Sequence, residues 1–487
     1  PPTPSSIPRR MDVASSSRTL RNLRFAVYGG GISGLSAALA LTRRGFPNVT
    51  IFEKSLSNSA SGRRKGALLL PANATRILDT WKLRREGSPN GLIHQEIRQT
   101  GTQNPNGRVV LFTDQKELSR NEVLSIRQGK VPDSQAIAVT KNNLLSSLET
   151  ALSKGYGMEI MYQHSLKKVE IDPEENWEVS LEFQNGETHT CDVLIGADSV
   201  PSLIRSNFFD DNTTSQGSSS SSSSTSMSQW WVSGVAEIEN WSGNPDVCFE
   251  CRGTGARVWA CSVASPASSS SLSSSAAAGT NSRTVGWRGV LFDEKHSRPA
   301  SSGNNDADPA AMARYFKPAP PEIIEAISST NAQDIVHGSV QVYPPPKGSL
   351  FSQYGGRIIL TGSAAHSLPD ALNQDVAMNL ESVEALAMSM QQACEKYGPD
   401  SDIDETSESM LASAVKRYQD TRYSRVSQVC LEAIEDQKML NTSSSIMAGL
   451  RSTAEWMNSF SHDLQDKQLI AYDIFSAFGD TAHRRLS

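Results

Sequence analysis

The stretch Arg24-Phe25-Ala26-Val27-Tyr28-Gly29-Gly30-Gly31-Ile32-Ser33-Gly34-Leu35 decides how the rest of the chain is read. An apolar strand-like run meets three successive glycines, and an Ala/Leu-rich stretch with helical spacing follows to about residue 44. A lone G-x-G-x-x-G is a weak signal. Here a second apolar strand, at 48–52, leads into Glu53, nineteen residues beyond Gly34. Each part has a physical task. Gly29 allows the tight turn, Gly31 lets the backbone approach a pyrophosphate, and Gly34 lets the helix pack closely on the strand. The helix N-terminus, with Ser33 in its first turn, offers N–H groups and partial positive charge to phosphates. Glu53 can accept hydrogen bonds from both ribose hydroxyls. The pattern predicts a dinucleotide site in an α/β fold.

Composition sets the frame around this site. At 487 residues the chain is long enough for two or three domains. With 46 Lys and Arg against 52 Asp and Glu, its net charge of −6 argues against a nucleic-acid partner. No apolar run is long enough to predict a transmembrane segment. Six cysteines and no signal-peptide pattern predict a reducing, cytoplasmic setting.

Residues 1–23 read as a loose tail rich in Pro, Ser and Arg. Serine tracts at 215–228 and 265–282, and a third polar stretch at 297–310, read as surface-loop insertions unable to bury apolar area. Between them, 230–238, 246–251, 256–263 and 284–292 read as strands of an antiparallel, substrate-binding sheet. Two short apolar strands are expected at 192–196 and 357–361. Helical spacing at 379–397 and 410–437 makes the C-terminal third largely helical.

Three further segments carry a resemblance. Asp192-Val193-Leu194-Ile195-Gly196-Ala197-Asp198-Ser199, followed by Arg205, and Arg357-Ile358-Ile359-Leu360-Thr361-Gly362-Ser363-Ala364-Ala365-His366, followed by Pro369, are two of them. The third is Tyr418-Gln419-Asp420-Thr421-Arg422-Tyr423-Ser424-Arg425, and residues 67–74 (ALLLPANA) add to the set. Together with the glycine turn these resemble the flavoprotein monooxygenases of the para-hydroxybenzoate hydroxylase type. The resemblance implies a Rossmann-type FAD-binding domain (24–95, 128–206 and 346–400) and an inserted antiparallel β-sheet substrate domain (96–127 and 207–345). A helical C-terminal region (401–487) completes it. It implies FAD as cofactor and NADPH or NADH as electron donor. The cofactor residues it implies are Gly29, Gly31, Ser33, Gly34, Glu53, Ala67, Lys141, Asp198, Ser363, Asp375 and Val376. Arg205 is the candidate catalytic residue, able to stabilise a phenolate-like anion if it reaches the pocket, or else a brace for its turn.

The sequence departs from that family at four places. Ser363 stands where an aspartate usually meets the flavin's ribityl chain, and a lost charged hydrogen bond costs about 1.5–3 kcal/mol. Asn373-Gln374-Asp375 replaces Gly-Gln-Gly at a helix start. By the resemblance Asp375 lies near the flavin pyrimidine edge, where a charge at about 5 Å costs roughly 3 kcal/mol at an effective dielectric of ~20. Alternatively it caps the helix and points to solvent. Ser199 replaces a glycine, and Lys141 stands in for the usual arginine.

Other motifs have plainer readings. Cys248-Phe249-Glu250-Cys251 has C-x-x-C spacing, but a strand sends residues three apart to opposite faces. His366 reads as structural, and Arg63-Arg64-Lys65 as a loop rather than a phosphate site. No metal-ligand set stands out. The expected function is an FAD-dependent, NAD(P)H-using monooxygenase that hydroxylates or epoxidises a small apolar or aromatic biosynthetic intermediate. Its expected partners are that substrate and O2, in a monomer or homodimer. The alternative is a non-redox cyclase or isomerase on the same scaffold, with or without bound flavin.

Overall fold

β1 (Phe25–Tyr28) is buried at every residue because it lies mid-sheet between parallel neighbours with both faces packed into the main core, which is why it shows no polar alternation. Those neighbours are β2 (Val49–Phe52) and β12 (Val193–Gly196), with Phe25 level with both Val49 and Val193. The sheet continues through β19 (Ile358–Leu360) to β18 (Ser352–Gln353) on one side and to β8 (Ile160–Met161) on the other. Only β18 runs antiparallel in it. α1 (Ile32–Arg43) packs against α3 (Lys141–Tyr156) and α7 (Asp375–Tyr397), enclosing the main apolar core. In this computed structural model the described residues are 19–56, 65–81, 102–103, 106–111, 117–121, 136–172, 177–209, 227–253, 256–263, 282–291, 308–317, 319–342, 351–368, 373–398, 407–441 and 472–479.

A meander of β9 (Leu166–Asp172), β10 (Glu178–Phe183) and β11 (Thr188–Cys191) feeds into β12. Arg24 ties it to the main sheet, its guanidinium reaching Glu178 at 2.7 Å and Asp192 at 2.8 Å. β3 (Ala67–Leu70), β7 (Ile137–Thr140) and β4 (Thr102–Gln103) form a small antiparallel sheet, and α2 (Ala72–Thr80) follows β3.

The third region is a seven-stranded sheet. Its order is β17 (Val336–Val342), β13 (Met227–Glu239), β16 (Ser282–Leu291), β15 (Ala256–Ser262), β14 (Val247–Gly253), β5 (Asn106–Leu111) and β6 (Glu117–Asn121). All neighbours are antiparallel except β14 and β5. One face packs on α5 (Pro309–Tyr315) and α6 (Pro321–Ser328), where Val258 and Trp287 meet Phe316 and Ile323. The opposite face sets Trp259 and Cys261 against Ala67 and Leu69 of β3. The two sheets approach so closely that a carbon added at Gly286 would lie 2.4 Å from the Ala67 Cβ. α4 (Leu203–Phe208) follows β12, α8 (Ser407–Asn441) lies along α7, and α9 (Ile474–Ala477) ends the described chain.

Cys248 joins the face toward β3 and Cys251 the face toward α6, so the C-x-x-C pair is split as strand geometry requires. None of the six cysteines forms a disulfide, and all are buried. Among the described residues no group of side chains could hold a metal, and no helix is long and apolar enough to cross a membrane.

Several expectations need correction. The loose tail cannot extend to 23, because Leu20 and Leu23 are buried in the main core and residues 20–22 form a 3-10 turn. The serine tracts lie mostly outside the described residues, but 227–228 and 282 belong to β13 and β16. The polar stretch at 297–310 does not run to its expected end. Asp308 caps α5 by accepting from the Ala310 amide, with Pro309 preset for the first helical position. Strands alone do not describe this middle section, since α5 and α6 cover the sheet. In the 96–127 stretch, β5 and β6 join the seven-stranded sheet, whereas β4 pairs with β7.

Candidate functional site

The glycines of the β1–α1 turn have three different surroundings. Gly29 has φ +120°, and a carbon added there would lie 2.4 Å from the Ala197 carbonyl oxygen where β1 and β12 run side by side. At Gly34 such a carbon would lie 1.8 Å from the Gly29 oxygen, so only glycine lets α1 sit this close to the turn. At Gly31 it would meet nothing within 4 Å. That open space, at the N-cap of α1 with no side chain capping the helix, is where a phosphate group has room to meet the helix N–H groups. Glu53, only 6% exposed, closes the turn from β2. Its Oε2 accepts from the Gly30 amide at 2.6 Å and its Oε1 from the Ser55 amide at 2.9 Å. A carboxylate oxygen carries a second lone pair, so this arrangement still suits a ribose hydroxyl.

β12 delivers the second turn. Asp198 accepts from the Ser202 hydroxyl at 2.6 Å and the Leu203 amide at 2.7 Å, fixing the start of α4. Burial raises its carboxyl above the usual range, against the lowering effect of these bonds. Ser199 has φ +65°, the left-handed region in which the family's usual glycine is at ease; a serine there costs roughly 1–2 kcal/mol. Arg205 points from α4 to the third turn, donating to the carbonyls of Ala364 at 3.1 Å and Ala365 at 2.9 Å. These are the contacts of a brace between two turns.

β19 and α7 supply the third turn. Gly362 has φ +61°, and a carbon there would collide with the Ser33 hydroxyl at 2.1 Å. Asn373 has φ +52°, which asparagine tolerates better than most residues. Asp375 opens α7 and accepts from the Ser363 hydroxyl at 3.3 Å. Behind it, Gln374 accepts from Asn73 at 3.0 Å, and Asn73 also donates to Glu381 at 2.8 Å. Arg422 and Arg425 of α8 both bond the buried Glu381, at 2.8 and 3.4 Å. The spaced arginines thus anchor α7 from behind. His366 is buried against the Ser382 hydroxyl at 3.0 Å, and burial pushes its imidazole down to about 3.

These turns surround one cleft of about 380 Å3. Gly29, Gly31, Ser33 and Glu53 line it from the first turn, Asp198 and Ser199 from the second, Ser363 and Asp375 from the third, and Lys141 from the start of α3. Asp375 therefore faces the cleft rather than pointing away from it. Four expected residues do not line it. Gly34 serves packing, Ala67 meets the seven-stranded sheet, Val376 lies in the main core, and Arg205 braces the turns. Sequence reasoning missed Tyr28, Lys54 and Asn379, which also line the cleft. Tyr28 and Lys54 flank assigned residues, and Asn379 lies one helical turn beyond Asp375. Lys65 donates to the Gln333 carbonyl and sits 3.8 Å from Asp334, away from the cleft; Arg63, Arg64 and Pro369 fall outside the described residues.

The residues present fit a nucleotide cofactor: open space at Gly31, two lysines lining the cleft, and a buried Asn379 Oδ1 with no hydrogen-bond donor. Fold and site together define a chain with the architecture of the flavoprotein monooxygenases. Residues 24–194 match the family of FAD dependent oxidoreductases. Over 83% of its length the chain is 24% identical to the chloroplastic zeaxanthin epoxidase of Solanum lycopersicum, spanning 53% of that protein. It is 29% identical to the 3-hydroxybenzoate 6-hydroxylase of Polaromonas naphthalenivorans over 38% of the chain and 42% of the relative. The chain thus spans about half the length of these curated relatives. Klebsiella pneumoniae HpxO, solved with FAD and uric acid, superposes with a TM-score of 0.64 at 17% identity, covering 92% of this chain and 96% of that one. Pseudomonas aeruginosa PqsL, solved with 2-aminobenzoylacetate, gives 0.61 at 16% identity over 86% and 97%. The resemblance read from the motifs therefore holds at the level of fold and relatives.

Proposed function

We propose that the chain is an FAD-dependent monooxygenase that uses NAD(P)H and hydroxylates or epoxidises a small apolar or aromatic biosynthetic intermediate. The observation that carries this reading is that three segments far apart in sequence, at 29–33, at 197–201, and at Ser363 with Asp375, meet around one cleft. When bound, FAD supplies the redox and oxygen chemistry. The chain's own residues bind and orient it. The N–H groups of α1 and Lys141 hold the pyrophosphate, Glu53 the ribose, and Asp198 keeps α4 and its turn against the cleft. Arg205 acts as a positioning residue through the 364–365 carbonyls. We assign residues 24–95, 128–206 and 346–400 to the cofactor domain and the seven-stranded sheet to substrate binding. Six buried cysteines without a disulfide among them support a reducing intracellular setting.

A second reading, a non-redox cyclase or isomerase on the same scaffold, is favoured by the Asp375 carboxylate facing the cleft. One experiment separates the two. Purified protein is scanned for flavin absorbance and then mixed with NADPH or NADH without oxygen. Bleaching, followed by oxygen-dependent recovery of the yellow form, is the expected result. Bound flavin that no reductant bleaches would support the non-redox reading, and a protein that binds no FAD would defeat the monooxygenase proposal and leave only the flavin-free form of the second reading.

A further inference from the structure

Ser363 and Asp375 are twelve residues apart in sequence, yet both line the cleft and their side-chain oxygens lie 3.3 Å apart. A hydroxyl bound to a carboxylate at its optimum lies at about 2.5–2.7 Å. The observed spacing leaves both groups geometrically able to share a third partner. The carboxylate sits in the first turn of α7, where the positive end of the helix favours an anion. One turn further along, Asn379 is 4% exposed, lines the same cleft, and has an Oδ1 with no donor. A buried acceptor left unmatched is costly, so this corner calls for donors. A hydroxyl, a carboxylate and an amide oxygen converging on one corner suit a chain of hydroxyl groups and repel a phosphate.

We propose that Ser363, Asp375 and Asn379 form one unit that binds the hydroxyl-bearing ribityl chain of the flavin, and that its negative charge has been relocated from position 363 to position 375. The inference rests on the FAD reading above. It recasts two apparent defects as one exchange. The serine at 363 is compatible with the cleft because aspartate at 375 carries the charge. Carboxylates at both positions would lie within hydrogen-bonding distance, and one would have to take up a proton. The charge belongs at either position but not at both.

A double-mutant cycle on the apoprotein tests this, using tryptophan fluorescence to titrate FAD and, separately, ADP. Asp375→Asn should weaken FAD binding by about tenfold or more, the equivalent of one charged hydrogen bond. Ser363→Asp alone should weaken it at pH 8 and recover as the pH falls toward 6, when the crowded pair takes up a proton. The double variant should return to within about threefold of the unaltered protein. ADP occupies only the glycine-turn half, so its affinity should not change in any variant. Independent, multiplying losses in the double variant would overturn the exchange, as would equal losses for ADP. Unaltered protein that binds ADP but not FAD would also overturn it, whereas binding of neither defeats the cofactor reading itself. Should Ser363→Asp not fold, Asn379→Ala carries the test. A loss of about fivefold for FAD with ADP unchanged is expected, and an unchanged FAD affinity would overturn the unit.

Discussion

The two ends of the cleft are built from different materials. At the β1–α1–β2 end, backbone does most of the work: positive φ at Gly29, a near-contact at Gly34, open space at Gly31 and amides held by Glu53. At the β19–α7 end, side chains dominate: Ser363 with Asp375, Asn379 beside Gly362, and Arg205 on the carbonyls of Ala364 and Ala365. A backbone-built site tolerates little substitution, because at Gly29 and Gly34 only glycine fits. A side-chain-built site can exchange partners as long as the sum of charges and bonds is kept. Of the four departures from the family pattern, Ser363 and Asn373-Gln374-Asp375 lie at the second end, Ser199 on the second turn and Lys141 at the start of α3; none falls on the glycines of the first end.

The sharpest way to break the comparison lies at the first end. Gly34→Ala would drive a carbon into the Gly29 carbonyl, so α1 must shift off the sheet. We expect a loss of about 3 kcal/mol or more, seen at this chain length as a fall of about 3 °C or more in melting temperature. A fall of less than about 2 °C would mean that this end is as pliable as the other. Glu53→Ala removes the acceptor for two backbone amides and for the expected ribose contacts. FAD affinity should drop by about 2–4 kcal/mol, measured by fluorescence titration. An unchanged affinity would remove the ribose role.

At the second end the effects should be smaller. Arg205→Met deletes two bonds to carbonyls and should cost about 1–3 kcal/mol of stability in a thermal melt, with turnover falling in step with cofactor occupancy. If turnover vanished while stability and occupancy stayed intact, Arg205 would be catalytic and not a brace. His366 gives the mildest test. Its pKa is about 3 in the fold against 6.5 for an ordinary histidine, so the unfolded chain binds more protons below pH 6.5. Stability should therefore fall as pH drops from 6.5 toward 3, by up to about 1.4 kcal/mol per unit from this group. Denaturant melts at pH 7 and 5.5 should show a smaller loss for His366→Gln than for the unaltered protein. Equal losses would mean that the imidazole is protonated within the fold.

Much of this architecture was legible beforehand. β1, α1 and β2 follow from an apolar run, a glycine turn and a helical period, all of which are local. The splitting of Cys248 and Cys251 followed from strand geometry alone. The misses have a common cause. α5 and α6 are short and preceded by proline or polar residues, and what holds them is Ile323 and Phe316 packing on a sheet assembled from distant strands. Leu20 and Leu23 were hidden in a polar context and are recruited by the same core as β1.

By itself the sequence determined where the chain must turn, which strands would be buried, and that residues 24–53 form a strand, glycine turn, helix and strand. Those properties depend on backbone freedom and on periods of two and 3.6 residues, which neighbours in sequence carry. Only the tertiary structure decided that Ser363 meets Asp375, that Asn379 joins them, and that Arg205 serves the 364–365 carbonyls. Those contacts join strand ends and helix starts separated by up to 160 residues. The stacking of β12 and β19 in one parallel sheet brings their turns to a common edge, and no local pattern encodes that meeting.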